Sequence, residues 1–381
     1  MPWRVKDKVE LRLEFIRRAE RGENISKLCR EYGISRPTGY LWLKRYQTSG
    51  TVWALEDRSH RPQHCPHRIE WSIEKRVIKL RERYGWGARK LQSLLVNEDI
   101  SLPVVTINRI IARNGLLVPG QCHRPAEQRF ERQAPNELWQ TDLKGSMGHG
   151  QARCEPLSII DDHSRFSVGL HPVRTSALEP IQGAFQRTFQ EYGVPAAMLM
   201  DHGNPWWGTA QIIGLTRLSV WLMRQDIELI FSGYNHPQTQ GKVERFHRTL
   251  AHAVYHVGIP KDFKSWAPLL RRFRKDYNHV RPHEALGMQV PASRYTPSRV
   301  PFKSKPPEVS YPSGSKVVKI DSLGRFSFGK RRLFASAALA NEFARIEELQ
   351  SSLLVYYRKT IIREIDLRTG ETIQPINSQV N

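Results

Sequence analysis

Three stretches of helical periodicity open the chain. Residues 7–20 mix charge with apolar positions at helical spacing, and Ile25, Leu28, Cys29 and Tyr32 then fall at i, i+3, i+4 and i+7, which marks one buried helix face. Gly33 stops that helix, Ser35 is a good cap for the next, and Pro37 is tolerated in its first turn. Tyr40, Leu43 and Tyr46 predict the buried face of this third helix and leave Arg36, Thr38, Trp42 and Arg45 outside. Helix, glycine turn and capped helix form a helix-turn-helix outline, whose second helix would enter a major groove. The outline recurs after a Pro-containing basic linker, Glu56 to Arg68. A basic helix starts at Ser72, a second runs from Ala88 to about Leu95, and a third follows Ser101 and Pro103 with Val105, Ile107, Ile110 and Ile111. On this third helix Asn108, Arg109 and Arg113 are candidate DNA contacts; a solvated helix face is the competing reading for each.

The rhythm changes after a second linker, Pro119 to Pro135. LWQTD reads as a strand ending in an acid, LSIIDDHSRF and SVGLHPV as two strands joined around Asp162 to Arg165, and AAMLMDHG as an apolar strand ending at Asp201. Helices are expected over residues 176–191 and 214–225, from Lys242 to about His256, and over 263–279, with a strand at IELIF. Strands first, then strands alternating with helices, predict a mixed sheet covered by helices. A Pro/Ser/Lys linker follows, Pro297 to Pro312. Beyond it KVVKID, GRFSFG, SLLVYYR and TIIREIDLRTGE suggest a small, partly open, SH3-like β-barrel. The expected organisation is multidomain α/β: helix-turn-helix units over 1–55 and 69–118, a sheet core over 131–297, and the barrel over 313–381.

Charge adds a partner to this picture. The 381 residues carry a net charge of +22, and the excess is spread: +7 over residues 1–68 and +5 over each of 69–135, 136–300 and 301–381. Excess in every part, rather than in one tail, points to an extended polyanion touching several domains, and double-stranded DNA fits through phosphate neutralisation. Basicity for solubility alone is the plainer alternative. No apolar run reaches the roughly 20 residues a membrane helix needs, and MPWRVKDKVELRLEF has no secretory hydrophobic stretch, so cytoplasmic location is expected. Cys29, Cys65, Cys122 and Cys154 are too scattered for a zinc ribbon or a disulfide framework.

Three acids stand where α/β sheets collect functional groups: Asp142 and Asp201 at strand ends and Glu244 in the first turn of a helix. Carboxylates meeting there would repel unless a cation lay between them, and Mg²⁺ binds through a few carboxylates plus water and phosphate oxygens. Two ions about 4 Å apart would clamp both oxygens of an in-line phosphodiester displacement. A surface pair of Glu244 with Arg248 is the alternative. Lys242 and Arg245 flank Glu244 within reach of neighbouring phosphates, or are ordinary surface charge. Val243, Phe246, Leu250 and Val254 have core spacing.

LWQTD at 138–142, IIDDHSRF at 159–166, MDHGNPW at 200–206, HPQTQGKVERFHRTL at 236–250 and YNHVRPHEALG at 277–287, in this order, resemble the catalytic core of insertion-sequence transposases of the retroviral-integrase type. The resemblance implies a ribonuclease-H-like core with Asp142, Asp201 and Glu244 as catalytic, metal-holding triad. It also implies two Mg²⁺ or Mn²⁺ ions, cleavage at terminal inverted repeats, strand transfer into target DNA, and a homo-oligomer of two or more protomers. The same resemblance implies that Asp161 and Asp162 are turn residues, with a turn cap to Ser164, and that Arg281 and His283 have packing or DNA-backbone roles. Two departures accompany it. The 42 residues between Asp201 and Glu244 exceed the interval of many relatives, implying an enlarged loop or helix around Trp206 to Arg217, and His202 and Gln240 stand where relatives often carry Asn. A DNA-binding regulator with an inactive core, and a nuclease that cuts without joining, share the same features.

Overall fold

The computed structural model describes residues 7–57, 69–117, 131–208, 214–231 and 241–374. The chain divides into two compact units, 1–69 and 70–381. Among the described residues no helix is long and apolar enough to cross a membrane.

The first unit holds α1 (Lys8–Glu20), α2 (Ile25–Glu31) and α3 (Arg36–Ser49), with a 3₁₀ turn over Val52–Leu55. The Asn24 side chain accepts the Ser26 and Lys27 amides, and the Ser35 hydroxyl accepts the Thr38 amide, so orphan N–H groups at both helix starts are satisfied. Phe15, Ile16, Leu28, Cys29, Leu43 and Leu55 make the core. One expectation fails here: Tyr40 is 56% exposed. Its predicted place belongs to Gly39, where a Cβ would lie 2.7 Å from Cys29 Sγ and 2.9 Å from Phe15 Cζ. Gly39 and Leu43, one helical turn apart, form the seam, and Tyr40 is rotated off it.

The second unit begins with α4 (Trp71–Tyr84), α5 (Ala88–Val96) and α6 (Val104–Arg113), all close to the predicted spans. Val77, Leu80, Leu91, Leu95, Ile107, Ile110 and Ile111 are buried.

A five-stranded mixed sheet follows, built from β1 (Leu138–Leu143), β2 (Glu155–Asp161), β3 (Ser167–Val173), β4 (Ala197–Met200) and β7 (Glu228–Phe231), in the order β3-β2-β1-β4-β7. The first three pair antiparallel, while β1–β4 and β4–β7 are parallel. This is the integrase-like, ribonuclease-H fold. Alternate residues feed opposite faces, as strand geometry requires. Trp139, Ile159, Val168 and Met198 pack with α7 (Leu178–Tyr192) and α8 (Arg217–Arg224), and Ile160 and Leu170 pack with α9 (Gly241–Val257) and α10 (Trp266–His279). Where an enlarged loop or helix was expected, the described residues form a short ribbon of β5 (Trp207–Gly208) and β6 (Gly214–Leu215), with residues 209–213 outside the described ones.

In the C-terminal region the expected strands occur, but a barrel is not seen among the described residues. Its strands are β8 (Lys316–Lys319), β9 (Arg325–Phe328), β10 (Arg331–Phe334), β11 (Phe343–Glu348), β12 (Ser352–Tyr357), β13 (Thr360–Asp366) and β14 (Thr372–Gln374). Five form an antiparallel sheet in the order β14-β13-β12-β11-β8, and β9 pairs only β10. Among the described residues the sheet stays open, because β8 and β14 do not meet. Arg224–Glu342 and Arg358–Asp226 ion pairs tie it to α8 and the turn after it.

Candidate active site

The parallel register of β1 and β4 pairs Leu138 with Ala197, Trp139 with Met198 and Gln140 with Leu199. Asp142 lies two residues beyond the last of these pairs, within β1, and Asp201 directly follows the last residue of β4. The backbone then turns sharply: the Gly203 amide donates to Asp201 Oδ1 at 3.2 Å, and a Cβ on Gly203 would lie 2.8 Å from Asp201 Oδ2. His202 turns its ring against Trp207 and Phe231, with centroids 5.1 and 5.5 Å away. Glu244 is exposed on the first turn of α9, whose apolar face of Val243, Phe246, Leu250 and Val254 is buried as its spacing predicts.

Asp142 feels the other two acids. Its carboxyl is pushed up to about 7, first by burial, then by the Asp201 charge, with Glu244 adding to it against the Leu143 amide. Opposite it on β2 is Ser158, whose hydroxyl meets His247 Nε2 at 2.9 Å, while His247 Nδ1 lies 3.6 Å from Asp142 Oδ2. Burial, then Lys144, holds this histidine down to about 3, so it is neutral at physiological pH. The motif pattern does not single out His247; its signal is a position four residues after Val243, on the helix face that packs on the sheet. Among the described residues, no three His, Cys, Asp or Glu side chains stand close enough to hold one ion. The donor set nevertheless suits a hard divalent cation: carboxylate oxygens, one of them buried and destabilised by its like-charged neighbours.

The other predicted contacts separate into two groups. Arg36, Asn108, Arg109 and Arg245 are exposed on their helices. Thr38 instead bonds the Ser35 hydroxyl at 2.8 Å, and Trp42 is half-buried, with the Arg12 and Arg45 guanidinium carbons 3.9 and 4.6 Å from its ring centre. Arg113 is tied to Glu74, Nε to Oε1 at 2.7 Å and Nη2 to Oε2 at 2.5 Å. Lys242 Nζ lies 2.5 Å from Oδ1 of the fully buried Asp162. Asp161 caps its turn as expected, accepting the Ser164 amide and hydroxyl. Arg281 sits over Trp86 at 5.1 Å, and His283 packs edge-on to Tyr277 at 4.7 Å. Gln240 and His236 lie outside the described residues.

Three family models match parts of the chain, and the integrase-core match includes Glu244 but neither Asp142 nor Asp201. A helix-turn-helix domain matches residues 11–63, a homeodomain-like domain residues 38–111, and an integrase core domain residues 225–291. The 31.7 kDa protein of insertion element IS407 from Burkholderia multivorans is 24% identical over 227 residues, 58% of this chain and 79% of that protein. The transposase of transposon Tn552 from Staphylococcus aureus is 21% identical over 320 residues, 72% of this chain but only 63% of the transposase. Among solved structures, a simian T-cell lymphotropic virus intasome chain aligns over 77% of this chain and 96% of its own, at 12% identity and a TM-score of 0.39.

Proposed function

We propose that this chain, a relative of the insertion-sequence transposases with an integrase-type core, is a DDE transposase that cuts the ends of its element and joins them to target DNA. The observation that carries the proposal is the parallel pairing of β1, which bears Asp142, with β4, which Asp201 directly follows, and it is supported by the Asp142 carboxyl, raised to about 7 first by burial and then by the other two acids. Asp142, Asp201 and Glu244 would hold two Mg²⁺ or Mn²⁺ ions, which when bound polarise the scissile phosphate and activate water or a 3′-hydroxyl. In this reading β1 and the residue after β4 would contribute two of the acids, and the first turn of α9 the third. His247, neutral and bonded to Ser158, gives the buried side of Asp142 a polar neighbour that adds no charge. Arg36, Arg45, Asn108, Arg109 and Arg245 would contact DNA backbone or bases. The two helical units would bind the terminal inverted repeats, and joining two ends requires at least two protomers.

The test is to incubate the purified protein with Mg²⁺, a supercoiled plasmid and labelled duplexes bearing the DNA ends that flank its own gene, beside Glu244→Gln. Metal-dependent joined products absent from the mutant support transposition. Cleavage without joining makes the protein a nuclease, and binding with neither product makes it a regulator.

A further inference from the structure

We propose that the buried Asp162 carboxylate is a positioning group that sets the distance between Asp142 and Glu244 by holding Gln140 and Lys242 on the same oxygen. The catalytic consequence rests on the transposase reading, whereas the geometry stands without it.

Asp162 is fully buried, just past the end of β2. Its Oδ1 accepts Gln140 Nε2 at 2.8 Å and Lys242 Nζ at 2.5 Å, and its Oδ2 accepts the Arg132 amide at 2.8 Å. Its own amide donates to Leu138 O at 2.9 Å. Gln140 precedes Asp142 by two residues on β1, and Lys242 precedes Glu244 by two residues on α9. One carboxylate thus joins the strand that carries the first acid to the helix that carries the third. The Lys242 side chain is only 17% exposed and Asp162 has no exposure, so the ammonium is committed to the protein interior. This departs from the phosphate contact that its sequence position suggests. The carboxylate depends on the cation: removing the ammonium takes away the positive charge on the fully buried Asp162 oxygen, and the helix start would move to bring water to it. A displacement of about 1 Å between groups that act on one reacting centre costs about 10²-fold in rate.

The full-length protein, Asp162→Asn, Lys242→Met, Lys242→Arg and the Asp162→Asn/Lys242→Met double variant are compared in single-turnover cleavage of the terminal duplex and in equilibrium binding to it. Expected is a loss of about 10²-fold in cleavage for both Asp162→Asn and Lys242→Met, with binding unchanged. Lys242→Arg should restore most of the rate, and the double variant should be no slower than either single one. Amide exchange in the DNA-free protein gives a readout independent of activity. Exchange over 138–143 and 241–245 should quicken in Asp162→Asn and Lys242→Met but not in Lys242→Arg. Lys242→Met weakening DNA binding, with the salt slope falling by about 0.9 while Asp162→Asn cuts normally, would overturn the proposal in favour of a phosphate contact. If the wild type cuts nothing, the transposase reading fails, and exchange decides the clamp by itself: unaltered exchange in both variants refutes it. Should Asp162→Asn not fold, the contrast between Lys242→Met and Lys242→Arg carries the same decision.

Discussion

Replacing Asp142 with Asn should make the metal-free protein more stable while removing its activity. The folded-state value near 7 against an ordinary 3.8 means that folding forces Asp142 to keep its charge in a place that disfavours it. The penalty is absent well below pH 3.8, grows between 3.8 and 7, and is complete above 7. At about 1.36 kcal/mol per pH unit it reaches about 4 kcal/mol at pH 8 and about 1 kcal/mol at pH 4.5. The side chain retains 24% exposure, so these are upper bounds. Asn is nearly isosteric and removes the charge, releasing both the burial cost and the repulsion from Asp201 and Glu244. Urea unfolding in the presence of a chelator, followed by the fluorescence of buried Trp139 and Trp206, measures the difference. A gain that is large at pH 8 and small at pH 4.5 is expected, together with stabilisation by millimolar Mg²⁺ in the wild type only. Equal gains at both pH values, or none at pH 8, would refute the reasoning, because Asp142 would then carry neither the burial cost nor the repulsion from its neighbours.

Three further outcomes follow from particular contacts. Arg113→Ala should cost about 1–3 kcal/mol by leaving Glu74, whose side chain is only 10% exposed, with the Asn114 amide at 3.3 Å and no cation among the described residues, without changing the salt dependence of DNA binding; thermal melting and a salt titration separate the two effects. Gly39→Val should destabilise the first helical unit by about 1–3 kcal/mol, since its side chain would enter the space of Cys29 and Phe15, and circular dichroism melting measures it. His171, bonded to Thr188 at 2.8 Å, is held down to about 3 by burial, then by Arg187 and Arg274. Its folded value lies below its unfolded one, so the stability it contributes is complete above pH 6.5 and is lost as pH falls toward 3. His171→Gln should flatten the stability–pH curve there by up to about 1.4 kcal/mol per pH unit, which urea unfolding at a series of pH values measures.

Legibility in the sequence follows the range of the interactions involved. The acids at strand ends are legible because strand ends and helix starts are local: Asp142 closes LWQTD, Asp201 closes AMLMD, and Glu244 begins an amphipathic run. Lys242 misleads because its partner lies 80 residues away in a turn that looks self-contained. Tyr40 looks like a core residue because an aromatic ring outranks glycine in any hydrophobic pattern, whereas helix packing there demands the smallest residue. In the C-terminal region several strand runs are evident, but β11 (FARIEE) hides its alternation under three charges, and pairing order is a long-range property that no single run encodes. Barrel closure is therefore the least accessible feature.

That open sheet has a consequence for how the protein behaves at high concentration. A strand with one unoccupied side offers a row of backbone groups to any passing extended chain. Among the described residues β8 pairs with β11 alone, and its exposed ends are Lys316 and Lys319. A second molecule adding its own β8 there would bring four ammonium groups together, with too little apolar surface on the two copies of Val317 to compensate. Charges at both ends of such a strand oppose edge-to-edge pairing, which is how exposed sheet edges are commonly kept from association.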